Sequence, residues 1–183
     1  MRRASICLSA LLYLASTGAF SSQDTWTSQL RLGGWSHHLE DEPYESSPRF
    51  NESHKGIGYY YRINQCHGSV SWYCKVGVGY LRDSFDNPMY IASWNWQYAF
   101  NEHISAGLLL GVGSRTVARY GDEVFLGTER KVVPLLAPNM EITWGRFSIG
   151  FAVLPHVDYR VEDGKNQYDL QKPTLFWDIG ISF

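Results

Sequence analysis

The C-terminal segment TLFWDIGISF alternates strictly. Leu175, Trp177, Ile179, Ile181 and Phe183 share one face, and Thr174, Phe176, Asp178, Gly180 and Ser182 share the other. A period of two is the mark of a strand with two chemically different sides. The pattern recurs in about eight segments of roughly 9–11 residues, the length that crosses a bilayer as a tilted strand. Among them are TSQLRLGGWS, GIGYYYRIN, WYCKVGVGYL, YIASWNWQYAF, ISAGLLLGVG, VVPLLAPNMEITW and RFSIGFAVLP. One face of each is nearly continuous Trp, Tyr, Phe, Ile, Leu or Val. A soluble barrel or sandwich would carry polar residues there. The chain is therefore predicted to be all-β, an eight-stranded antiparallel transmembrane β-barrel. Its 7 Trp, 12 Tyr and 9 Phe beside 17 Gly suit strands with aromatic girdles better than a helical bundle.

Connections alternate between short and long. Asn64 to Ser69, Asn101-Glu102 and Gly145-Arg146 read as short periplasmic turns; Leu39 to Lys55, Arg115 to Arg130 and Asp158 to Lys172 read as long extracellular loops, with Arg82 to Pro88 intermediate. Residues 1–19 have the basic start, short apolar run and small residues at Thr17 and Ala19 of a secretory signal peptide, which leaves residues 20–183 as one barrel domain in the bacterial outer membrane. A net charge of −2 points away from nucleic acid. A monomer is expected. Cys66 and Cys74 fall near the periplasmic end, where oxidation permits a disulfide; strict alternation puts them on opposite faces, so a bulge is expected if they pair.

Sorting inward residues by depth divides the predicted lumen. Near the outer mouth stand Trp35, Gly56, Gly58, Gly79, Leu81, Met89, Ile91, Gly111, Gly113, Val133, Leu135, Ala137, Ala152, Leu154 and Phe176; near the inner end stand Arg31, Arg62, Lys75, Asn95, Gln97, Asn139, Glu141, Ser148 and Asp178. Eight strands leave room for side chains or one small ligand. An apolar, glycine-lined outer half above a polar floor suits a hydrocarbon chain, against the plainer alternative of a packed core. Proline cannot donate to a sheet ladder, so Pro134, Pro138 and Pro155 mark openings in a wall that otherwise has no edge, a lateral gate for a lipid tail, or simply relief of strain near strand ends.

With those features in place the chain resembles the lipid A palmitoyltransferase (PagP-like) family. The resemblance rests on RDSF, with Asp83 and Ser84, on His37 preceding FNES, and on prolines 134, 138 and 155 in VPLLAPNMEITWGRFSIGFAVLP. It implies an acyltransferase that moves a palmitoyl-like chain from a phospholipid donor to lipid A, with no cofactor and no metal and with its active site at the cell surface. In that reading His37 is the general base, Ser84 a nucleophile or hydrogen-bond donor, and Asp83 orients the histidine or stabilises its charged form. Gly79, Leu81, Met89, Ile91, Gly111 and Gly113 line the acyl pocket, and Asn95 stands where the family has a small glycine at its base. The segment FSSQDTWTSQL is short for the amphipathic helix that the family carries before its first strand. His37, His38 and His54 lack the companion carboxylates or cysteines of a metal site. Two other classes stay open: an esterase barrel that deacylates lipid A, and a non-catalytic structural or adhesive outer-membrane barrel.

Overall fold

The computed structural model describes residues 26–39, 49–121, 124–162 and 165–183, with backbone alone between 156 and 172. The signal peptide expected over residues 1–19 and the start of the pre-strand segment at 20–25 lie outside the described residues. Eight strands, β1 (Ser28–His38), β2 (Ser53–Asn64), β3 (Trp72–Arg82), β4 (Pro88–Ala99), β5 (Ile104–Gly121), β6 (Val124–Trp144), β7 (Phe147–Glu162) and β8 (Lys165–Ser182), close in chain order into one barrel. Sequential neighbours are antiparallel, and β8 returns to β1 through pairs such as Leu30–Ile181 and His38–Thr174. Closure gives each strand of the lower barrel a partner on both sides, which makes strands viable in hydrocarbon.

The outward face is the apolar one. Ile57, Tyr59 and Tyr61 on β2, Val76 and Val78 on β3, Leu108, Leu110 and Val112 on β5, and Leu175 and Ile179 on β8 are all exposed, on the parity opposite to the inward residues. A water-soluble fold would not present such a ring. This is an outer-membrane β-barrel, crossing with strands.

Two stretches differ from expectation. Arg115 to Arg130 and Asp158 to Lys172, read as polar loops, are largely strand. The β5–β6 ladder continues from Arg115–Lys131 out to Gly121–Val124, and the β7–β8 ladder from Asp158–Asp169 out to Glu162–Lys165. Their polar composition disguised two hairpins.

Those two hairpins also break the simple barrel order. β4 last pairs with β5 at Tyr90–Ser114, so above Ser114 that edge of β5 is open. The upper part of β7 takes it, in parallel, through Arg119–Tyr159 and Tyr120–Arg160. In the body β7 lies beside β6, but its pairing there stops at Asn139–Ala152. β7 therefore crosses the mouth from one side of the β5–β6 ribbon to the other. Thr116, Val117, Ala118 and Tyr120 are buried although they stand above the barrel body, which a free two-stranded ribbon would not achieve.

A single irregularity in β1 decides what faces the lumen at the mouth. Gly33 and Gly34 have φ of +82° and +105°, and the register with both β2 and β8 slips around them. Below the slip, Gln29 and Arg31 point inward. Above it Ser36 is buried and His37 is exposed. A bulge inserts one residue, and with a side-chain period of two that exchanges the faces. Trp35, expected inside, belongs to the exchanged set.

Candidate functional site

The polar floor lies among the inward residues of β1, β3, β6 and β8. Lys75 Nζ donates to both Glu141 oxygens at 2.8 and 2.7 Å and to Gln29 Oε1 at 2.8 Å. Arg31 bridges Glu141 and Asp178. Gln29 Nε2 donates to Ser148 Oγ at 2.9 Å, and the Arg62 guanidinium sits 4.0 Å over the Tyr73 ring. In the bridged cluster two cations, Arg31 and Lys75, face two carboxylates, so the cluster is formally neutral and offers no net charge to a ligand. Asn95, expected as the base of the pocket, is buried. Its carbonyl accepts from Asn139 Nδ2 at 2.9 Å, and Asn139 in turn accepts from Gln97. It is tied into an amide chain across β4 and β6, not to Lys75 or Glu141.

Above this floor lies a cavity of about 170 Å³ whose walls include Gly58, Gly79, Leu81, Met89, Ile91, Leu135, Ala152, Leu154 and Phe176. Its lower walls are the polar floor itself, Arg31, Lys75, Glu141 and Asp178, so the space is apolar in its upper part. An engineered cavity of about 150 Å³ takes up benzene, and this volume likewise has room for a stretch of hydrocarbon. Two expected wall residues drop out. A Cβ on Gly111 would strike the Ala92 carbonyl at 2.5 Å, and one on Gly113 would meet the Met89 methyl at 2.9 Å. Gly111 permits close strand packing, and the Met89 methyl fills the space before Gly113, so neither opens a slot. Gly79 does open one, since nothing comes nearer than 3.6 Å to its added Cβ.

At the mouth the proposed catalytic residues separate. His37 is 62% exposed and pairs with Glu52 at 3.4 Å. The residue next to Ser84 is His38, with Nε2 at 3.1 Å from Oγ, its ring stacked on Phe50. The glycine bulge is the cause. Asp83 is 2% exposed, and its carboxylate accepts from the backbone N–H groups of Phe85 (2.9 Å), Asn87 (3.0 Å) and Thr116 (2.7 Å). Such a carboxylate shapes the turn and ties it to β5; it does not orient a histidine. RDSF turns the chain. His54, near the outer end of β2, donates from Nδ1 to the Arg82 carbonyl at 2.6 Å, and in the neutral ring Nε2 then accepts from the Ser36 hydroxyl at 2.8 Å. Sequence reasoning missed Ser36, His38 and His54 as lumen-facing residues; the adjacent Gly33-Gly34 was the available signal.

The proline-marked wall is also visible. β6 stays in register with β5 through Pro138–Leu108 and Pro134–Val112, while its other side has lost β7 above Asn139. Pro134 and Pro138 have the same parity, so both missing N–H groups fall on one edge. Because the β5 ladder is unbroken, that edge is the one toward β7. Pro155 lies where the β7–β8 register shifts, between Leu154 and His156.

Among the described residues, one group of three metal-ligating side chains comes together: Cys66, His67 and Cys74. Both sulfurs are joined in a Cys66–Cys74 disulfide. No bulge is needed, because Cys66 lies in the turn beyond Asn64 and the β2–β3 register is regular. Replacing both cysteines by serine is expected to lower stability by about 2–3 kcal/mol through loss of short-loop closure, measured by urea unfolding in detergent.

Fold and mouth together define an outer-membrane barrel with a partly apolar chamber. No protein-family profile matches the chain, and no curated protein matches it. Solved structures similar to it include the attachment invasion locus protein Ail of Yersinia pestis. In complex with the heparin analogue sucrose octasulfate, Ail is 14% identical to the chain, covering 86% of this chain and 97% of that one, with a TM-score of 0.46. Ail in a phospholipid bilayer nanodisc gives 14% identity, 86% and 99% coverage and a TM-score of 0.42. The palmitoyltransferase resemblance and the acyltransferase activity it implied are withdrawn: no family profile supports them, and the solved barrels named here are those of an attachment invasion locus protein. The geometry gives a physical reason, since His37, Asp83 and Ser84 do not form a relay.

Proposed function

We propose that the chain is a non-catalytic outer-membrane barrel that shelters the acyl chain of a membrane lipid in its outer lumen, admitted sideways between β6 and β7. The observation that carries this is the coincidence of a wall gap at belt height with an apolar chamber behind it. On β6, Val132 is 73% and Leu136 53% exposed, so the gap opens among residues that face lipid, while Leu135 and Ala137 beside them line the inside. Open backbone in hydrocarbon costs several kcal/mol per unpaired group. Prolines at 134 and 138 remove two donors at that edge and lower the cost.

The test uses a phospholipid with a photoactivatable diazirine near the end of one acyl chain, in vesicles holding the purified protein. Cross-links are expected on lumen residues such as Ile91 and Leu135. Gly79→Leu, which fills the slot, should remove most of them, and His37→Ala should leave them unchanged. Cross-links confined to outward residues such as Val132 would sink the reading. In cells producing the protein, the mass spectrum of lipid A is expected to be unaltered; a mass gained or lost would speak for chemistry at the rim.

A further inference from the structure

We propose that the upper half of β7 is a strand-exchange gate. Paired with β5 it covers the mouth and leaves the wall open beside β6; paired with β6 it seals the wall and uncovers the mouth. The proposal rests on the chamber described above and adds how access to it alternates.

The topology supplies two edges for one strand. Among the described residues, β5 above Ser114 has no ladder to β4, and β6 above Asn139 has no ladder to β7. Each edge offers backbone groups that gain from a partner. β7 can serve only one at a time. Neither pairing dominates on its construction. The β5 pairing is short, two residue pairs in parallel. The β6 alternative would be longer and antiparallel but lacks the N–H groups of Pro134 and Pro138. A pivot also exists: the β7–β8 register shifts between Leu154 and His156, with Pro155 at the bend. Below it β7 stays fixed to β6 through Asn139–Ala152, so the exchange moves only the upper strand and its β8 partner. Two packings of near-equal free energy, biased by what occupies the lumen or surrounds the wall, form a two-state element.

A lumen reporter and a lock test this. Gly79→Cys places a thiol in the chamber, where its Cβ meets nothing closer than 3.6 Å. Arg119→Cys with Tyr159→Cys joins β7 to β5 at a pair that is in register. In intact cells a sulfonated, membrane-impermeant maleimide should label the chamber thiol slowly while the lock is oxidised. After mild phosphine reduction, labelling should speed up by about tenfold or more, as expected when a minor state on the order of 0.1–10% populated becomes reachable. The reporter without the lock, treated identically, controls for reduction of the native disulfide. Equal rates with and without the lock would overturn the proposal, and so would a lock that fails to oxidise. Diazirine photolabelling in the locked protein separates the two claims. Lumen labels that vanish while the lock still governs maleimide access would refute the lipid occupant and leave the gate standing.

Discussion

Glu141→Ala should destabilise the barrel by about 3–5 kcal/mol, the cost of breaking a buried ion pair from one side. Glu141 accepts from Lys75 through both oxygens and also holds Arg31, and the Glu141 and Lys75 side chains are each 7% exposed. Removing the carboxylate leaves Lys75 and Arg31 inside the lumen with only Asp178 to share. Lys75→Met combined with Glu141→Gln should cost much less, because cation and anion leave together. Urea unfolding in detergent followed by tryptophan fluorescence measures both. A single variant as stable as the parent would show that water reaches the floor and solvates the cations, and that the plug is not a dry network.

Gly34→Val should also weaken the fold strongly, by about 2–6 kcal/mol from backbone strain and overpacking together. At a φ of +105°, a β-branched residue is disfavoured, and its Cβ would lie 3.1 Å from the Phe176 ring and 3.3 Å from His54 Cβ. Loss of the bulge would turn Ser36 and His38 away from their partners on His54 and Ser84. The imidazole resonances of both histidines should shift in NMR spectra of the variant, even in detergent conditions where the barrel still closes. An unchanged spectrum with unchanged stability would remove the bulge as the device that sorts the mouth.

Ser36 and His38 show where sequence reading ends. Alternation along β1 is accurate up to Arg31, and carried past Gly33-Gly34 it assigns Trp35 and His37 to the lumen. One extra residue exchanges the two sets, and the exchange is settled by the pairing of β1 with β2 and β8. The same limit explains Gly111 and Gly113. Sequence places them on the inner face, but only the neighbouring Ser93 and Met89 determine whether the space before them is open. Strict alternation puts Cys66 and Cys74 on opposite faces, although the first lies in a turn where parity has no meaning.

What the sequence by itself determined is the closed eight-stranded barrel, its apolar exterior, its polar floor and its proline-marked wall. Each follows from a period of two and from residue chemistry, which are local and repeat along every strand. Only the tertiary structure decided which histidine meets Ser84, that Asp83 holds a turn together, and that β7 leaves β6 to cover the mouth beside β5. Those outcomes depend on register and on competition between edges for one partner. A hydrogen-bonding edge looks alike whichever strand fills it, and no stretch of sequence records the winner.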